Sequence, residues 1–303
     1  MQGVRYDFQP MRVDQSKRVN VLSGCSGELL RIDSNGNPLH EPVTPFPANI
    51  SGGVVIGESW IGTWVDQELR EARMAALSLD GKWEDGGSRQ HLREVSDAEV
   101  LMPASSTWSR RLDAEPMALT RVTKGAVFAT LNRGVYMINE FAEELWRAPY
   151  PEWLGRQKFQ YSDTLVSCTE CADGISLWSR SGAVTLLDAE DGSFISSHVV
   201  PLTGPLAGVK YSEVGGSFLM LENGDVGLLD NLHSIPQLVK TPGPVFDTRF
   251  SDGGWHWTGW RHDGFGDAWK SQIVQRRDVG IALLGDSVIT NDGRLDLFRA
   301  QSL

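Results

Sequence analysis

The sequence predicts an all-β fold built from repeated antiparallel units, because a glycine-centred pattern recurs along its 303 residues. In each clear copy an aspartate follows the glycine after six positions, and apolar residues stand two and five positions after the glycine. Looser copies lie at 132–139 and 291–298. The clear copies are SGELLRID at 26–33, SGAVTLLD at 181–188 and NGDVGLLD at 223–230.

Each copy has the pattern expected at the centre of a four-stranded unit. Serine, asparagine or aspartate beside glycine supplies the positive φ that a tight hairpin turn requires. Apolar runs on both sides of the turn predict two paired strands, and a further short run lies upstream and another downstream. The aspartate that ends the second hairpin strand can cap the next turn with its side chain.

The spacing of the turn glycines predicts a β-propeller. Gly134 and Gly182 are 48 residues apart, and Gly182 and Gly224 are 42 residues apart. Four-stranded units of roughly 40–50 residues are typical of propeller blades. Degenerate units fit the two long gaps, one at 52–83 with a charged tip at DQELREA and one at 253–275. Seven four-stranded blades are therefore predicted, with six or eight as alternatives, from hairpins near residues 27, 65, 134, 182, 224, 265 and 293.

The blades are expected to form a single domain over residues 1–303, as a ring closed by the N-terminal strand. GVRYDFQ at 3–9 has no hairpin partner of its own, so we expect it to pair with the last blade and remove an exposed sheet edge. A short helix is expected only within HLREVSDAEVLM at 91–102. The predicted blades are 10–45, 46–115, 116–160, 161–205, 206–243, 244–278 and 279–303 together with 3–9.

Composition limits the classes of partner. The chain has 28 lysines and arginines against 39 aspartates and glutamates, a formal net charge of −11. An acidic surface repels phosphate backbones, so no nucleic-acid partner is expected. No apolar run is long enough to cross a membrane and the N-terminus has no apolar signal core, so no membrane partner is expected either. Three cysteines, an odd and sparse set, predict a cytoplasmic protein without a disulfide framework.

The repeat resembles the blades of the quinoprotein-like and WD40-like propeller superfamilies, most closely over SRSGAVTLLDAEDGSF at 179–194. A strand, a glycine turn, an apolar strand ending in aspartate and a second glycine turn follow one another there. The resemblance implies a propeller fold but no particular activity, since propellers carry many unrelated functions. The chain lacks the adjacent cysteines of quinoprotein dehydrogenases and the Gly-His and Trp-Asp dipeptides of WD40 repeats, so it resembles both groups as a divergent member.

Residues capable of chemistry form no recognisable catalytic, cofactor-binding or metal-binding motif in the sequence. Cys168 and Cys171 make a lone CxxC without the second pair that a zinc site needs. In a strand their Cα atoms would lie about 10 Å apart, beyond the reach of a disulfide. The six histidines lack metal-binding spacing, and Asp263 and Asp267 around DGFG lack the acidic run of a calcium loop. No catalytic, cofactor-binding or metal-binding residue is assigned, and no cofactor is expected.

The stretch GGWHWTGWRHDGFGDAW at 253–269 provides the candidate interaction site, and it holds four of the eleven tryptophans. Alternation along a strand places Trp255 and Trp257 on one face, where packing between blades is expected. Aspartates and glycines around Phe265 predict an exposed hairpin tip that presents this aromatic ring to a partner. The expected contact residues are His262, Asp263, Phe265 and Asp267 on the tip, together with Trp260.

Two functions of different classes follow from these observations. The first is a non-enzymatic protein-interaction platform, whose partner is another protein and which binds through long blade tips, including the tip at 68–72. The second is a propeller enzyme, or a binder of a small ligand or sugar, that uses the central channel. Carboxylates and histidines from several blades could converge there without leaving a local motif.

Overall fold

The computed structural model of the chain describes residues 4–94, 101–153, 163–267 and 270–300. These residues form seven antiparallel sheets and one six-residue helix. In every sheet the strands lie in the order in which they follow one another along the chain. The predicted all-β fold with seven repeated units is therefore confirmed. No helix of the described residues has the length and hydropathy needed to cross a membrane.

The chain divides into two compact units, of which residues 6–150 form one. This unit contains three sheets, and the assignment of 1–303 to a single domain stays a prediction. Its elements are β1 (Pro10–Asp14), β2 (Asn20–Gly24) and β3 (Leu29–Ile32) in the first sheet, β4 (Asn49–Ile56), β5 (Ser59–Asp66), β6 (Glu71–Ser78), helix α1 (Arg89–Glu94) and β7 (Ser106–Leu112) in and beside the second, and β8 (Pro116–Val122), β9 (Gly125–Thr130), β10 (Gly134–Ile138) and β11 (Glu144–Ala148) in the third.

The other unit runs from residue 151 onward and includes the N-terminal residues up to Arg5. It contains four sheets. Their strands are β12 (Leu165–Cys171), β13 (Gly174–Ser179), β14 (Ala183–Leu187) and β15 (Phe194–Val199) in the fourth, β16 (Leu206–Ser212), β17 (Gly216–Leu221), β18 (Val226–Leu229) and β19 (Gln237–Val239) in the fifth, β20 (Val245–Ser251), β21 (Gly254–Gly259), β22 (His262–Gly266) and β23 (Ser271–Gln275) in the sixth, and β24 (Gly280–Leu284), β25 (Ser287–Thr290) and β26 (Leu295–Leu297) in the seventh.

Two of the seven sheets have three strands in the described residues, where the sequence predicted four. In the first sheet the place of the fourth strand is taken by isolated bridges from Val43 to Leu29 and from Pro38 to Ile32. The stretch at 38–47 contains four prolines. Because proline lacks an N–H donor, such a segment cannot form a continuous ladder.

The seventh sheet is joined by the N-terminal segment. Arg5 forms an antiparallel bridge with Arg294, and the N–H of Leu295 donates to the carbonyl of Val4 at 3.1 Å. The predicted pairing of the N-terminal strand with the last sheet is therefore confirmed. This pairing covers part of the edge that β26 would otherwise expose.

In its first two copies the glycine-to-aspartate repeat has the predicted role: the glycine forms the hairpin turn and the aspartate caps the next turn. Gly27, Gly182 and Gly224 all have positive φ, between 87° and 93°, in turns between the second and third strands of a sheet. Asp33 Oδ1 accepts the N–H groups of Asn35 and Asn37 at 2.8 Å, and Asp188 Oδ1 accepts that of Glu190 at 2.7 Å. The Asn37 side chain also donates to Asp33 Oδ2 at 2.9 Å, and this bond, together with the backbone ones, holds the pKa of Asp33 below its ordinary value. In the third copy the cap moves one residue on, to Asn231.

Tryptophan rings pack between neighbouring sheets within each unit. Trp60 is fully buried and donates through Nε1 to Asp14 Oδ2 at 2.7 Å, which joins the second sheet to the first. In the other unit Phe218 lies 5.2 Å from Trp255 and 5.7 Å from Trp257 between ring centroids, across the fifth and sixth sheets. The expectation that Trp255 and Trp257 belong to the packing is confirmed.

The second sheet carries the one helix of the described residues. Helix α1 lies in the connection from β6 to β7 and spans 89–94, so it overlaps the predicted range 91–102, of which 95–100 lie outside the described residues. Its buried Leu92 joins Trp83 in the cluster around Trp60 and Trp64. The connection therefore extends the core on the side of the second sheet.

Deleting residues 1–9 should destabilise the protein. The deletion removes the pairing of Val4 and Arg5 with the last sheet, and it removes the buried Tyr6, whose hydroxyl donates to the Gly36 carbonyl at 2.8 Å. We expect the free energy of unfolding in urea to fall by about 3–5 kcal/mol, the usual loss for a large buried aromatic side chain. Arg5→Ala keeps the backbone bridge and should change it by less than about 0.5 kcal/mol. An unchanged urea midpoint for the deletion would contradict the pairing.

Candidate functional site

The hairpin that holds the candidate interaction residues turns before the stretch 262–267 that the sequence predicted as its tip. Strands β21 and β22 pair from Gly259 with His262, so the turn is Trp260–Arg261. The prediction of an exposed tip at 262–267 is wrong, because residues 262–266 form the buried strand β22. The run SQIVQ at 271–275 is the fourth strand of the sheet. Trp269 lies outside the described residues.

Glycine has a steric role in β22 rather than a turn-forming one. Gly264 lies directly across from Trp257, and a Cβ atom on Gly264 would overlap the Trp257 ring. The second sheet has a related arrangement within one strand, since a Cβ atom on Gly62, two residues after Trp60 in β5, would overlap the Trp60 ring. A glycine that makes room for an indole looks in the sequence like a glycine that makes a turn.

Three of the predicted contact residues are interior residues of the sixth sheet. His262 and Asp263 are fully buried, and Phe265 is 6% exposed with its ring 4.6 Å from that of His256. The Asp263 carboxylate accepts hydrogen bonds from Thr258 Oγ1 at 2.8 Å and from Arg276 Nη1 at 2.8 and 3.0 Å. These residues were expected on an exposed tip, and that placement is wrong because each has its partners inside the sheet packing.

The buried Asp263–Arg276 pair ties the sixth sheet to the seventh. Arg276 Nη2 also reaches Asp296 Oδ2 at 3.3 Å, and the backbone N–H of Arg299 donates to Asp263 Oδ2 at 3.1 Å. Both side chains of the central pair have no solvent exposure. A buried charge needs such a set of partners, since an unpaired one would be strongly destabilising.

Asp267 and Trp260 are the two predicted contact residues that reach the surface. Asp267 is exposed, and its Oδ1 accepts the N–H of Lys270 at 2.9 Å. Trp260 is 52% exposed. Its N–H donates to the Pro244 carbonyl at 2.8 Å, and a Cβ atom on Gly243 would touch its side chain. The base of the indole is therefore seated on Gly243 while the rest of the ring faces solvent.

Arg261, beside Trp260, was not among the predicted residues. It is exposed and adopts the left-handed conformation with φ of 58°. The turns between second and third strands share a positive φ at one residue, and most use glycine or asparagine there. The residues are Gly27, Arg70, Asn132, Gly182, Gly224, Arg261 and Gly293. A left-handed conformation costs a residue with a Cβ atom about 1–2 kcal/mol, so arginine at this position is not explained by the turn.

The turn at 67–70 in the second sheet separates two clefts. A cleft of about 470 Å³ is lined by residues that include Cys25, Asn49 and Arg89, and one of about 410 Å³ is lined by Leu112 to Glu115 on the other side. The long tip expected at 68–72 is a four-residue turn, since Glu71 and Ala72 already belong to β6. The clefts lie beside this turn rather than at a protruding loop.

The acidic groups of this turn are held by helix α1. Asp66 is 3% exposed at its side chain and accepts Arg89 Nε and the N–H of Leu69, each at 3.0 Å. Burial raises the pKa of Asp66, but these hydrogen bonds outweigh it and the pKa lies below its ordinary value. Glu68 pairs with Arg89 at 2.8 Å and with Arg93 at 2.9 Å. The turn therefore fastens α1 to the second sheet.

One carboxyl group has the kind of shift that an enzyme would use. Burial raises the pKa of Asp247 in β20, against the effect of the Lys210 charge, and its Oδ2 accepts the N–H of Leu283 at 2.9 Å. A raised carboxyl pKa is a mark of functional sites, but structural pairs produce it too. Among the described residues no three or more His, Cys, Asp or Glu side chains are grouped to hold a metal ion. Asp247 therefore stands as a tie between β20 and the seventh sheet.

The two cysteines of the CxxC lie on β12 and take part in the sheet. Cys168 is opposite Leu177 and Cys171 is opposite Gly174 in the ladder with β13. Both thiols are free, and burial raises the pKa of each. A thiol whose pKa is raised carries little thiolate, so neither cysteine is activated as a nucleophile.

Asp263→Asn should destabilise the fold far more than Asp267→Asn. The first change removes the charge that compensates the buried Arg276, so we expect a loss of about 3–5 kcal/mol in the free energy of unfolding. The second keeps a hydrogen-bond acceptor at an exposed position, so its effect should stay within about 0.5 kcal/mol. Urea unfolding of the two variants measures both values. Equal and small losses would show that Asp263 is not an interior charge.

Stability should decline in mild acid because of His262. Its Nδ1 contacts the Trp260 carbonyl at 3.1 Å, and burial lowers its pKa from the ordinary 6.5, against the opposing effects of that hydrogen bond and of Asp263. With the folded pKa below the unfolded one, the unfolded chain binds the proton first as pH falls. The contribution is therefore complete above about pH 6.5 and is lost progressively below it.

Replacement of His262 by glutamine tests this dependence. In urea unfolding between about pH 7.5 and pH 5, His262→Gln should show a shallower loss of stability than the parent protein. His91→Gln, on the exposed face of α1, should follow the parent. Parallel curves for His262→Gln and the parent would refute the assignment.

Comparison with known proteins identifies the fold. No protein-family model matches the chain, and no curated protein sequence is similar to it. Among solved structures, the β-propeller domain of Cps50 (Swd1) from Myceliophteria thermophila superposes with a TM-score of 0.67 at 10% identity and covers 98% of both chains. BamB from Moraxella catarrhalis gives 0.58 at 11% identity over 94% of this chain and 82% of its own, and the computationally designed protein Ika8 gives 0.58 at 11% over 98% of both. The chain is therefore a divergent seven-bladed β-propeller.

Proposed function

We propose that the protein is a non-enzymatic platform that binds another protein, and that the turn Trp260–Arg261 is a centre of that contact. The β-propeller fold supports a scaffold-type role. The observation that carries the proposal is an exposed indole beside an arginine in a strained conformation.

Trp260 has the features of an anchoring residue. Its backbone is fixed by the hydrogen bond to Pro244, and Gly243 supports the base of its side chain. The backbone at Trp260 has little freedom to lose on binding, while about half of the residue's surface remains to be buried. Rigid tryptophan and arginine side chains dominate the binding energy of protein interfaces.

Arg261 adds a charge that the fold does not use. Within the described residues it forms no ion pair, whereas Arg133 in the corresponding turn of the third sheet lies 3.6 Å from Asp113. Strained backbone that persists without a folding reason is characteristic of functional positions. A carboxylate on the partner would complete the contact, since the guanidinium group binds carboxylates through two parallel hydrogen bonds.

We place the protein in the cytoplasm as part of this proposal. Its three cysteines are free, and Cys168 and Cys171 lie in one strand where they cannot pair. Free thiols are typical of proteins in reducing compartments.

Arg261→Gly separates binding from folding. Glycine relieves the left-handed backbone, so the melting temperature should stay equal or rise by a few degrees. Binding to the native partner should weaken by about 1–3 kcal/mol when Trp260→Ala or Arg261→Gly is tested. The measurement is quantitative capture from lysate of the source cells, with cross-linking and mass spectrometry to map the contacts.

Arg133→Ala is the matched control, because it removes an exposed arginine from the corresponding turn of the third sheet. It should leave capture unchanged. Capture that is equal for the parent, Trp260→Ala and Arg261→Gly would refute this turn as the contact. Turnover of a small molecule that survives both changes and is lost on Asp247→Asn would instead favour the enzyme.

A further inference from the structure

The outer strand of the fourth sheet differs from most other outer strands in lacking charge, proline and short length as protection against strand pairing. Strand β15 reads FISSHV, with no charged residue and no proline. Among the described outer strands, β7 contains Arg110 and Arg111, β11 contains Glu144 and Arg147, and β19 has three residues. Strand β23 is uncharged too, but none of its apolar side chains is exposed. Natural proteins normally protect edges with charge, proline or short length.

Apolar side chains are exposed along β15. Phe194, Ile195 and Val199 all face solvent, at 67%, 47% and 41% exposure. On the other face His198 is held by the fifth sheet, where its Nε2 lies 2.6 Å from the Leu232 carbonyl. The strand is thus fixed in place by its neighbours while its outer side is open.

The backbone of β15 offers hydrogen-bonding groups on that side. The N–H of Val200 donates to the Gly182 carbonyl, so Val200 directs its backbone groups toward β14. By the alternation of the ladder, His198 and Ser196 direct theirs toward β14 as well. Because antiparallel pairing alternates, the N–H and C=O groups of Ser197 and Val199 point away from β14. No described residue binds these N–H groups.

We propose that β15 is a docking edge to which an extended segment of another protein adds as a fifth strand. Strand addition takes its affinity from main-chain hydrogen bonds and its specificity from the side chains that flank them. Here the flanking side chains are the exposed Phe194, Ile195 and Val199, which favour a segment with alternating apolar residues. The site is separate from the Trp260–Arg261 turn and is independent of it.

Charge complementarity specifies the partner further. The turn that leads into β15 carries Asp188 and Asp191, and residues 181–209 contain no lysine or arginine. A segment with lysine or arginine at the end that meets this turn would be attracted, and an acidic segment would be repelled. A second copy of the chain would bring the same acidic turn and is the less favoured occupant.

The test uses a synthetic peptide of alternating valine and threonine with two arginines at one end, labelled for fluorescence anisotropy. Ser197→Pro removes an outward N–H group without touching the ladder to β14, so the peptide should bind about tenfold more weakly or worse. Ser197→Ala keeps the N–H group and should bind like the parent. A peptide with glutamates in place of the arginines should bind the parent more weakly.

Equal affinity of the peptide for the parent and Ser197→Pro would overturn the proposal, as would the absence of binding to the parent. If Ser197→Pro fails to fold, a peptide methylated on alternate backbone nitrogens replaces it. Loss of binding on methylation supports strand addition, and full binding refutes it. A parent protein that sediments as a dimer, with Ser197→Ala also dimeric and Ser197→Pro monomeric, would show a second copy as the occupant and overturn the assignment to another protein.

Discussion

The packing of large indole rings between successive sheets is the constraint on which the rest of the structure depends. At two of these positions a residue without a side chain makes room for the ring. These residues are Gly264 opposite Trp257 and Gly62 beside Trp60. The indole then takes a hydrogen bond where one is within reach, as Trp60 does with Asp14. Large interior aromatics contribute several kcal/mol each, so the glycines are as necessary as the rings they accommodate.

This constraint explains where reading the sequence succeeds and where it fails. The turns at Gly27, Gly182 and Gly224 could be predicted because one local requirement, a positive φ, selects glycine there. The caps at Asp33 and Asp188 could be predicted for the same reason, since their partners lie within a few residues. The turn at Trp260–Arg261 could not, because the requirement that placed Gly264 comes from the packing of a ring, which the local pattern does not record.

Only part of the candidate contact surface could be predicted from the sequence. Trp260 could be found because clustered tryptophans are visible, but Phe265 looked more exposed than it is because aspartate and glycine surround it. Arg261 was missed, although a signal existed. Once the repeats are aligned on their turns, arginine stands where Gly27, Gly182, Gly224 and Gly293 stand in other copies. That alignment needs the correct turn position, which the three-dimensional structure supplied.

The tie of Asp263 to later parts of the chain has a consequence for synthesis on the ribosome. Its carboxylate is buried in β22, yet its partners are the side chain of Arg276 and the backbone of Arg299. A nascent chain that ends before these residues would have to bury an uncompensated charge to complete the sixth sheet. We therefore expect that sheet to stay open until the C-terminal residues emerge, so that the last two sheets are completed together. The N-terminal residues Val4 and Arg5 can pair only after Arg294 and Leu295 have been synthesised, since these two residues are their partners. The beginning of the chain is thus among the last parts to be fixed.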